Sequence, residues 1–105
     1  AVFRGLPDNA STILTSHQPS RFDEFAKTNV GLMLSGHTHG GQIVFGRIGE
    51  TVLSLSSIAS KYIEGIYEIH SGAKRTQMYV SRGLGTVALP MRLNCPPEIT
   101  QITLA

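Results

Sequence analysis

The chain has 105 residues, of which 41% are hydrophobic and 15% charged, and this composition is typical of a folded protein with one modest core. The nine Lys and Arg residues are scattered and the formal charge is only +2, so no nucleic-acid-binding patch is evident. The single cysteine, Cys95, excludes an internal disulfide and a thiolate metal cluster, and no apolar run reaches the ~20 residues of a membrane span.

The first predicted elements are a strand and a short helix. Residues 11–16 form a β-branched run with an apolar centre, which is typical of a buried strand, and Pro19 ends it. Ser20 is the expected N-cap of the helix, with Asp23 three residues later in its first turn. We therefore expect a strand followed by an amphipathic helix.

A second apolar run, residues 31–35, predicts another strand, which stops at a glycine-rich corner over residues 36–42. Strand, helix and strand in this order indicate a βαβ unit with parallel strands. Because parallel strands end at the same edge of a sheet, we expect His17 to lie beside His37 and His39.

The rest of the chain predicts short strands separated by turns, at residues 51–55, 65–69, 76–81 and 98–104. A hairpin turn is expected at residues 71–74, so this half should be largely antiparallel. The expected fold class mixes α and β elements, as α/β or α+β, and is strand-rich with one βαβ unit.

No repeat or linker divides the sequence, so we expect a single domain over residues 1–105. With so few helices, one face of the sheet would be bare, which favours a missing N-terminal half that covers it, or self-association through that face. Any targeting segment would lie upstream of Ala1, so the sequence leaves the cellular location open.

The pair His37 and His39 is the strongest chemical signal. If the segment is extended, both imidazoles point to one side and Thr38 points away. Imidazole suits Zn, Fe, Mn, Ni and Cu, and the surrounding glycines leave room for an ion. Together with His17 the pair predicts a metal site. The residues after the pair do not fit a metallo-β-lactamase or a cupin, and an amidohydrolase barrel needs a longer chain.

A lone histidine after a strand, then a helix, a strand and a Gly-His-x-His corner, resembles the C-terminal part of the calcineurin-like metallophosphoesterases. Residues 14–19 and 34–42 carry this resemblance. It extends, in the manner of a bacterial subgroup of predicted phosphohydrolases, over residues 62–67, 79–86, 89–92 and 94–99. The resemblance implies the C-terminal half of a β-sandwich flanked by helices.

The resemblance also implies hydrolysis of phosphate monoesters or diesters, of a small molecule or a lipid, at a site with two divalent ions such as Mn, Fe or Zn. His17 and His37 would bind one ion and His39 the other. The family motifs that supply the bridging aspartate and the remaining ligands are missing, since Asp8 and Asp23 are the only aspartates. We therefore expect this chain alone to bind zero or one ion and to be inactive. The alternative is a non-catalytic module that binds one ion or docks to a partner.

Three further residues are candidate substrate contacts. Arg82 and Gly83 lie in a glycine-rich turn that could bind a phosphate, although the same pattern suits an ordinary turn of the β-rich half. Gln42 could orient a ligand or cap a loop. The sequence leaves these alternatives open.

Overall fold

The structure, a computed structural model, describes residues 3–105, so the first two residues of the predicted domain lie outside it. The described residues form strands β1 (Thr12–Ser16), β2 (Val30–Ser35), β3 (Val44–Ile48), β4 (Thr51–Ser54), β5 (Gly65–Ser71) and β6 (Lys74–Val80). The helical parts are α1 (Phe22–Phe25) and single-turn 3₁₀ helices at Pro19–Arg21, His39–Gly41 and Leu55–Ile58. The mixed, strand-rich fold class is confirmed.

The main sheet has four strands in the order β1-β2-β6-β5, and β3 and β4 form a separate hairpin. Strand β2 lies parallel to both β1 and β6, whereas β5 and β6 are antiparallel. The βαβ unit and the turn after Ser71 are therefore confirmed. Ser16 pairs with Ser35 at the ends of β1 and β2, so the residues that follow both strands emerge at one edge.

The start of the helix differs from the prediction. Ser20 lies inside the 3₁₀ turn that begins at Pro19, and no side chain caps α1. Pro19 allows this early start because its fixed φ already suits a helical turn. Asp23 instead accepts a hydrogen bond from the Tyr62 hydroxyl at 3.1 Å and pairs with Lys61 at 3.0 Å. The predicted capping interaction is therefore wrong.

One predicted strand is absent and one observed strand was not predicted. Residues 98–104 form no strand, because within residues 3–105 the only backbone hydrogen bond of this segment runs from the Glu98 amide to the Gly83 carbonyl and no ladder develops. Strand β3 was not predicted, since Gly46 and Arg47 interrupt its apolar pattern. The β3–β4 hairpin nevertheless forms, and its turn uses Gly49 at φ +58°.

The core beneath the main sheet fixes the strands that carry the histidines. Phe22 of α1 packs against Met33 of β2 and Met78 of β6, and all three side chains are fully buried. Met33 and Met78 are also paired across the two central strands. Burying one side chain of this size stabilises the fold by about 1.5–3 kcal/mol. A packed hydrophobic core therefore supports the ends of β1 and β2.

The outer face of the sheet still exposes apolar side chains, and Ile66 is 68% exposed. Three expectations stay predictions: self-association through this face, its covering by the other half of a β-sandwich, and the organisation as a single domain. Within residues 3–105, no helix has the length and apolar character needed to span a membrane.

Candidate functional site

His17 and His37 meet at the carboxyl ends of β1 and β2. Nδ1 of His37 lies 2.9 Å from Nε2 of His17, and the ring centroids are 4.7 Å apart. The Gly36 amide donates to the His17 carbonyl at 3.2 Å, which ties the two strand ends together beyond the sheet. Both imidazoles are exposed, so a ligand can approach the pair.

The corner that carries His37 and His39 is not extended, so that part of the prediction is wrong. His37 has φ +70° and His39 has φ +51°, and both lie in the left-handed region that disfavours side chains other than glycine. The Thr38 hydroxyl turns inward and donates to the Ile63 carbonyl at 2.6 Å. Left-handed residues of this kind cost about 1–3 kcal/mol each and concentrate at functional sites.

The glycines that follow His39 are required by close packing. A Cβ on Gly40 would lie 2.7 Å from the Cys95 sulfur and closer still to Cγ of Arg82. A Cβ on Gly41 would lie 2.5 Å from the Ser54 hydroxyl. Because these two glycines lack a side chain, atoms of Arg82, Cys95 and Ser54 can pack closely against the corner.

His39 has a defined hydrogen-bond partner. Its Nδ1 lies 3.3 Å from the Gly85 carbonyl. Because a carbonyl can only accept, Nδ1 carries the proton in this contact, and Nε2 of the neutral ring keeps its lone pair. His39 and His37 both line a cavity of about 530 Å³, together with Pro19 and Val87. The free nitrogen of His39 is thus available as a ligand atom.

The histidines form a pair and a single rather than one cluster. Within residues 3–105, no three His, Cys, Asp or Glu side chains lie close enough to hold a metal ion together. The structure brings His17 and His37 together and does not bring His39 into the same group.

The pair is compatible with a metal ion on two grounds. Two nitrogens that each lie about 2.1 Å from one ion are about 3.0 Å apart at the right angle of an octahedral site and about 3.4 Å apart at a tetrahedral angle. The 2.9 Å between His17 and His37 is close to the octahedral separation, and it also suits a direct hydrogen bond between the rings. Imidazole donors suit Mn, Fe and Zn. These two residues therefore fit part of a metal site.

The Gln42 side chain hydrogen-bonds to a neighbouring loop. Its side chain accepts from the Val87 amide at 2.7 Å and donates to the carbonyls of Val87 and Leu89 at 3.0 and 2.9 Å. Gln42 is only 6% exposed. Substrate contact through Gln42 stays a prediction, and these bonds favour the loop-capping alternative.

Arg82 and Gly83 are also engaged within the protein. Nε of Arg82 donates to the Glu98 carboxylate at 2.8 Å, and the Gly83 amide donates to the Ser81 hydroxyl at 3.1 Å. A phosphate would have to compete with these partners. Phosphate binding by Arg82 and Gly83 therefore stays a prediction, and the observed contacts suit a structural turn.

Arg92 is the residue that the sequence reasoning missed. Its guanidinium donates to the main-chain carbonyls of His39, Arg82, Gly83, Gly85 and Cys95. Within residues 3–105, no carboxylate lies within ion-pair distance of it. The signal available in the sequence was an arginine a few residues after a glycine-rich turn, which by itself does not reveal what the arginine contacts.

The sequence is similar to several proteins named as metallophosphoesterases. It is 40% identical to the uncharacterized metallophosphoesterase YkuE of Bacillus subtilis over 94% of this chain and 32% of that protein. It is 37% identical to an uncharacterized metallophosphoesterase of Aquifex aeolicus, over 98% of this chain and 36% of that protein. A transmembrane protein with metallophosphoesterase domain from Bos taurus is 37% identical over 98% of this chain and 22% of its own length.

No family model matches the chain, and no solved structure matches it significantly. The chain spans 22 to 36% of the length of the three relatives described above. The matched stretches cover 94 to 98% of its own residues. The chain therefore matches one part of proteins named as metallophosphoesterases, which is consistent with the C-terminal part of a calcineurin-like family.

Proposed function

We propose that this chain supplies His17, His37 and His39 to a two-metal site that hydrolyses phosphate monoesters or diesters. The observation that carries the proposal is the 2.9 Å approach of two exposed imidazoles from the ends of neighbouring parallel strands. Open α/β sheets bind ligands at this edge. The left-handed backbone of His37 and His39 adds support, because strained conformations of this kind persist only where surrounding contacts impose them, and they cluster at functional sites.

In this proposal His17 and His37 hold one divalent ion, and Nε2 of His39 binds the other. When bound, such ions polarise phosphate oxygens and make water a nucleophile near neutral pH. The Gly85 carbonyl orients the His39 ring and selects which nitrogen carries the proton. The separation of His39 from the other two imidazoles is compatible with ligands for different ions.

The site needs carboxylates from outside residues 3–105. Two nearby cations repel each other, and a bridging carboxylate offsets that repulsion. Within the described part of the chain, no carboxylate hydrogen-bonds to His17, His37 or His39. Asp23 is bound by Tyr62 and Lys61 instead. We therefore expect the 105-residue chain alone to bind zero or one ion and to lack substantial activity.

The test uses the complete protein and the variants His17→Gln, His37→Gln and His39→Gln. His70→Gln is the matched control, because His70 is exposed on β5 and its side chain hydrogen-bonds only to Glu68 within residues 3–105. Metal content is measured by mass spectrometry, and hydrolysis is measured with a chromogenic phosphate monoester and diester. We expect two ions in the wild type and a loss of activity of more than about 100-fold in the three site variants.

The outcomes separate the alternatives. If His17→Gln and His37→Gln keep both ions and full activity, the proposal fails. One bound ion without hydrolysis in the complete protein would support the non-catalytic module instead. Full turnover by the 105-residue chain, abolished by His37→Gln, would refute the expectation that the remaining ligands lie elsewhere.

A further inference from the structure

The guanidinium of Arg92 joins two segments that are distant in sequence. One nitrogen, Nη1, donates to the carbonyls of His39 and Cys95 at 3.3 and 3.2 Å. The other terminal nitrogen, Nη2, donates to the carbonyls of Arg82 and Gly85 at 2.8 and 2.6 Å. Arg92 therefore bridges the histidine corner and the turn over residues 82–85.

The number of donors explains why arginine suits this position. Arginine offers five N–H groups in a rigid plane, and here main-chain carbonyls from five residues accept them. Lysine offers three donors from one point and cannot reach both segments in the same way. Hydrogen bonds from a charged donor are stronger than those from a neutral one, so Arg92 holds the two segments together.

The Gly85 carbonyl links this bridge to the imidazole of His39. It accepts from Nε of Arg92 at 3.1 Å and from Nη2 at 2.6 Å, and it also lies 3.3 Å from Nδ1 of His39. Arg92 therefore holds the oxygen that determines which nitrogen of His39 carries the proton. The same residue also binds the main chain of His39.

Cys95 also helps to hold the histidine corner in place. The Cys95 thiol is buried, and its single hydrogen is shared between the carbonyls of His39 and Gly40, which each lie 3.2 Å from the sulfur. Gly40 has no room for a side chain between Arg82 and Cys95. The backbone of His39 is thus held on this side, and its ring hydrogen-bonds to the Gly85 carbonyl.

We propose that Arg92 is a positioning residue for His39: through the Gly85 carbonyl it orients the imidazole and keeps Nε2 unprotonated and free to bind a ligand. The role of His39 as a metal ligand rests on the proposed function, whereas the effect of Arg92 on its tautomer does not. Neutral imidazoles in water favour the proton on Nε2, so the arrangement at His39 needs this support.

The test is nuclear magnetic resonance of the complete, metal-free protein with ¹⁵N-labelled histidine, at about pH 8.5, where imidazoles are ordinarily neutral. The variants are Arg92→Met and Arg92→Lys. Arg75→Met is the matched control, because Arg75 is an exposed arginine on β6 that contacts no residue of the corner. The signal of His39 is assigned by its absence in His39→Gln.

We expect wild-type His39 to carry its proton on Nδ1, and Arg75→Met to leave this unchanged. Arg92→Met should shift His39 towards the Nε2-protonated form, and Arg92→Lys should give an intermediate population. The signals of His17, His37 and His70 report whether each variant keeps its fold. A wild-type His39 protonated on Nε2 overturns the proposal without any variant, and so does a folded Arg92→Met protein in which Nδ1 stays protonated.

Kinetics and metal affinity give a second readout. We expect Arg92→Met to lower metal affinity or kcat about 10-fold to 100-fold with little change in KM, as for other groups that orient metal ligands. If His39→Gln keeps full metal content and activity while Arg92→Met still changes the tautomer, the proposed function fails and the positioning role stands. If the wild type binds two ions and Arg92→Met changes neither tautomer nor affinity, the positioning role fails.

Discussion

Gly40 provides the sharpest test of how the histidine corner is packed. Its φ is +61°, and a Cβ at this position would lie 2.7 Å from the Cys95 sulfur and closer to Cγ of Arg82. Neither atom can move easily, because Cys95 is buried and Cγ lies near the main chain of its residue. The variant Gly40→Ala therefore combines backbone strain with overpacking.

The expected magnitude follows from these two effects. A left-handed alanine costs about 1–2 kcal/mol. Overpacking of a tight site costs typically about 1–3 kcal/mol. We therefore expect Gly40→Ala to lower the free energy of unfolding by about 2–5 kcal/mol.

Gly72→Ala is the matched control. Gly72 has the same φ of +61°, in the β5–β6 turn, and an added Cβ there would meet nothing within 4 Å. The loss of unfolded-chain entropy is the same for both variants, so their difference isolates the overpacking of about 1–3 kcal/mol. Urea unfolding followed by circular dichroism measures both. Equal destabilisation in the two variants would refute the packing described behind His39.

Three further predictions concern acid stability, the core and the loop held by Gln42. The hydrogen bond from Lys61 holds the pKa of Asp23 below its usual value, so the stability that this pair contributes is present above the usual pKa of an aspartate and is lost as the pH falls from there through the lower pKa of the folded state. Urea unfolding between about pH 6 and about pH 2 should show a shallower fall in stability for Asp23→Asn than for the wild type, and identical slopes would contradict this. Phe22→Ala should lower the free energy of unfolding by about 3–5 kcal/mol, whereas Phe45→Ala, at a side chain that is 67% exposed, should change it by less than about 0.5; thermal unfolding of the two variants tests the difference. Gln42→Leu removes three hydrogen bonds and should speed amide exchange at residues 87–89, and exchange as slow as in the wild type would rule out the loop-capping role.

The elements of the main sheet could be predicted because each has a local signal. The apolar runs before His17 and His37 match β1 and β2, and the turn at residues 71–74 matches the β5–β6 hairpin. The prediction at residues 98–104 was wrong because a strand needs a partner as well as a pattern, and this segment finds one backbone bond. Local spacing favours Ser20 as a cap and does not show that the turn already begins at Pro19.

The candidate site divides in the same way. The approach of His17 and His37 follows from parallel strands, whose ends must meet at one edge, and the sequence is sufficient to predict that topology. The left-handed corner was missed because two residues with side chains adopt a conformation that their own preferences disfavour. Surrounding contacts impose that conformation.

By itself the sequence indicated the similarity to metallophosphoesterases, the strand-rich mixed fold and the histidines that we propose as metal ligands, because these depend on local pattern and on spacing along the chain. Only the tertiary structure decided how His39 is held. Arg92 reaches the His39 carbonyl across 53 residues and shares the Gly85 oxygen with its ring. Hydrogen bonds to main-chain carbonyls leave no pattern in side-chain identity, so such a contact becomes visible only when the chain is folded.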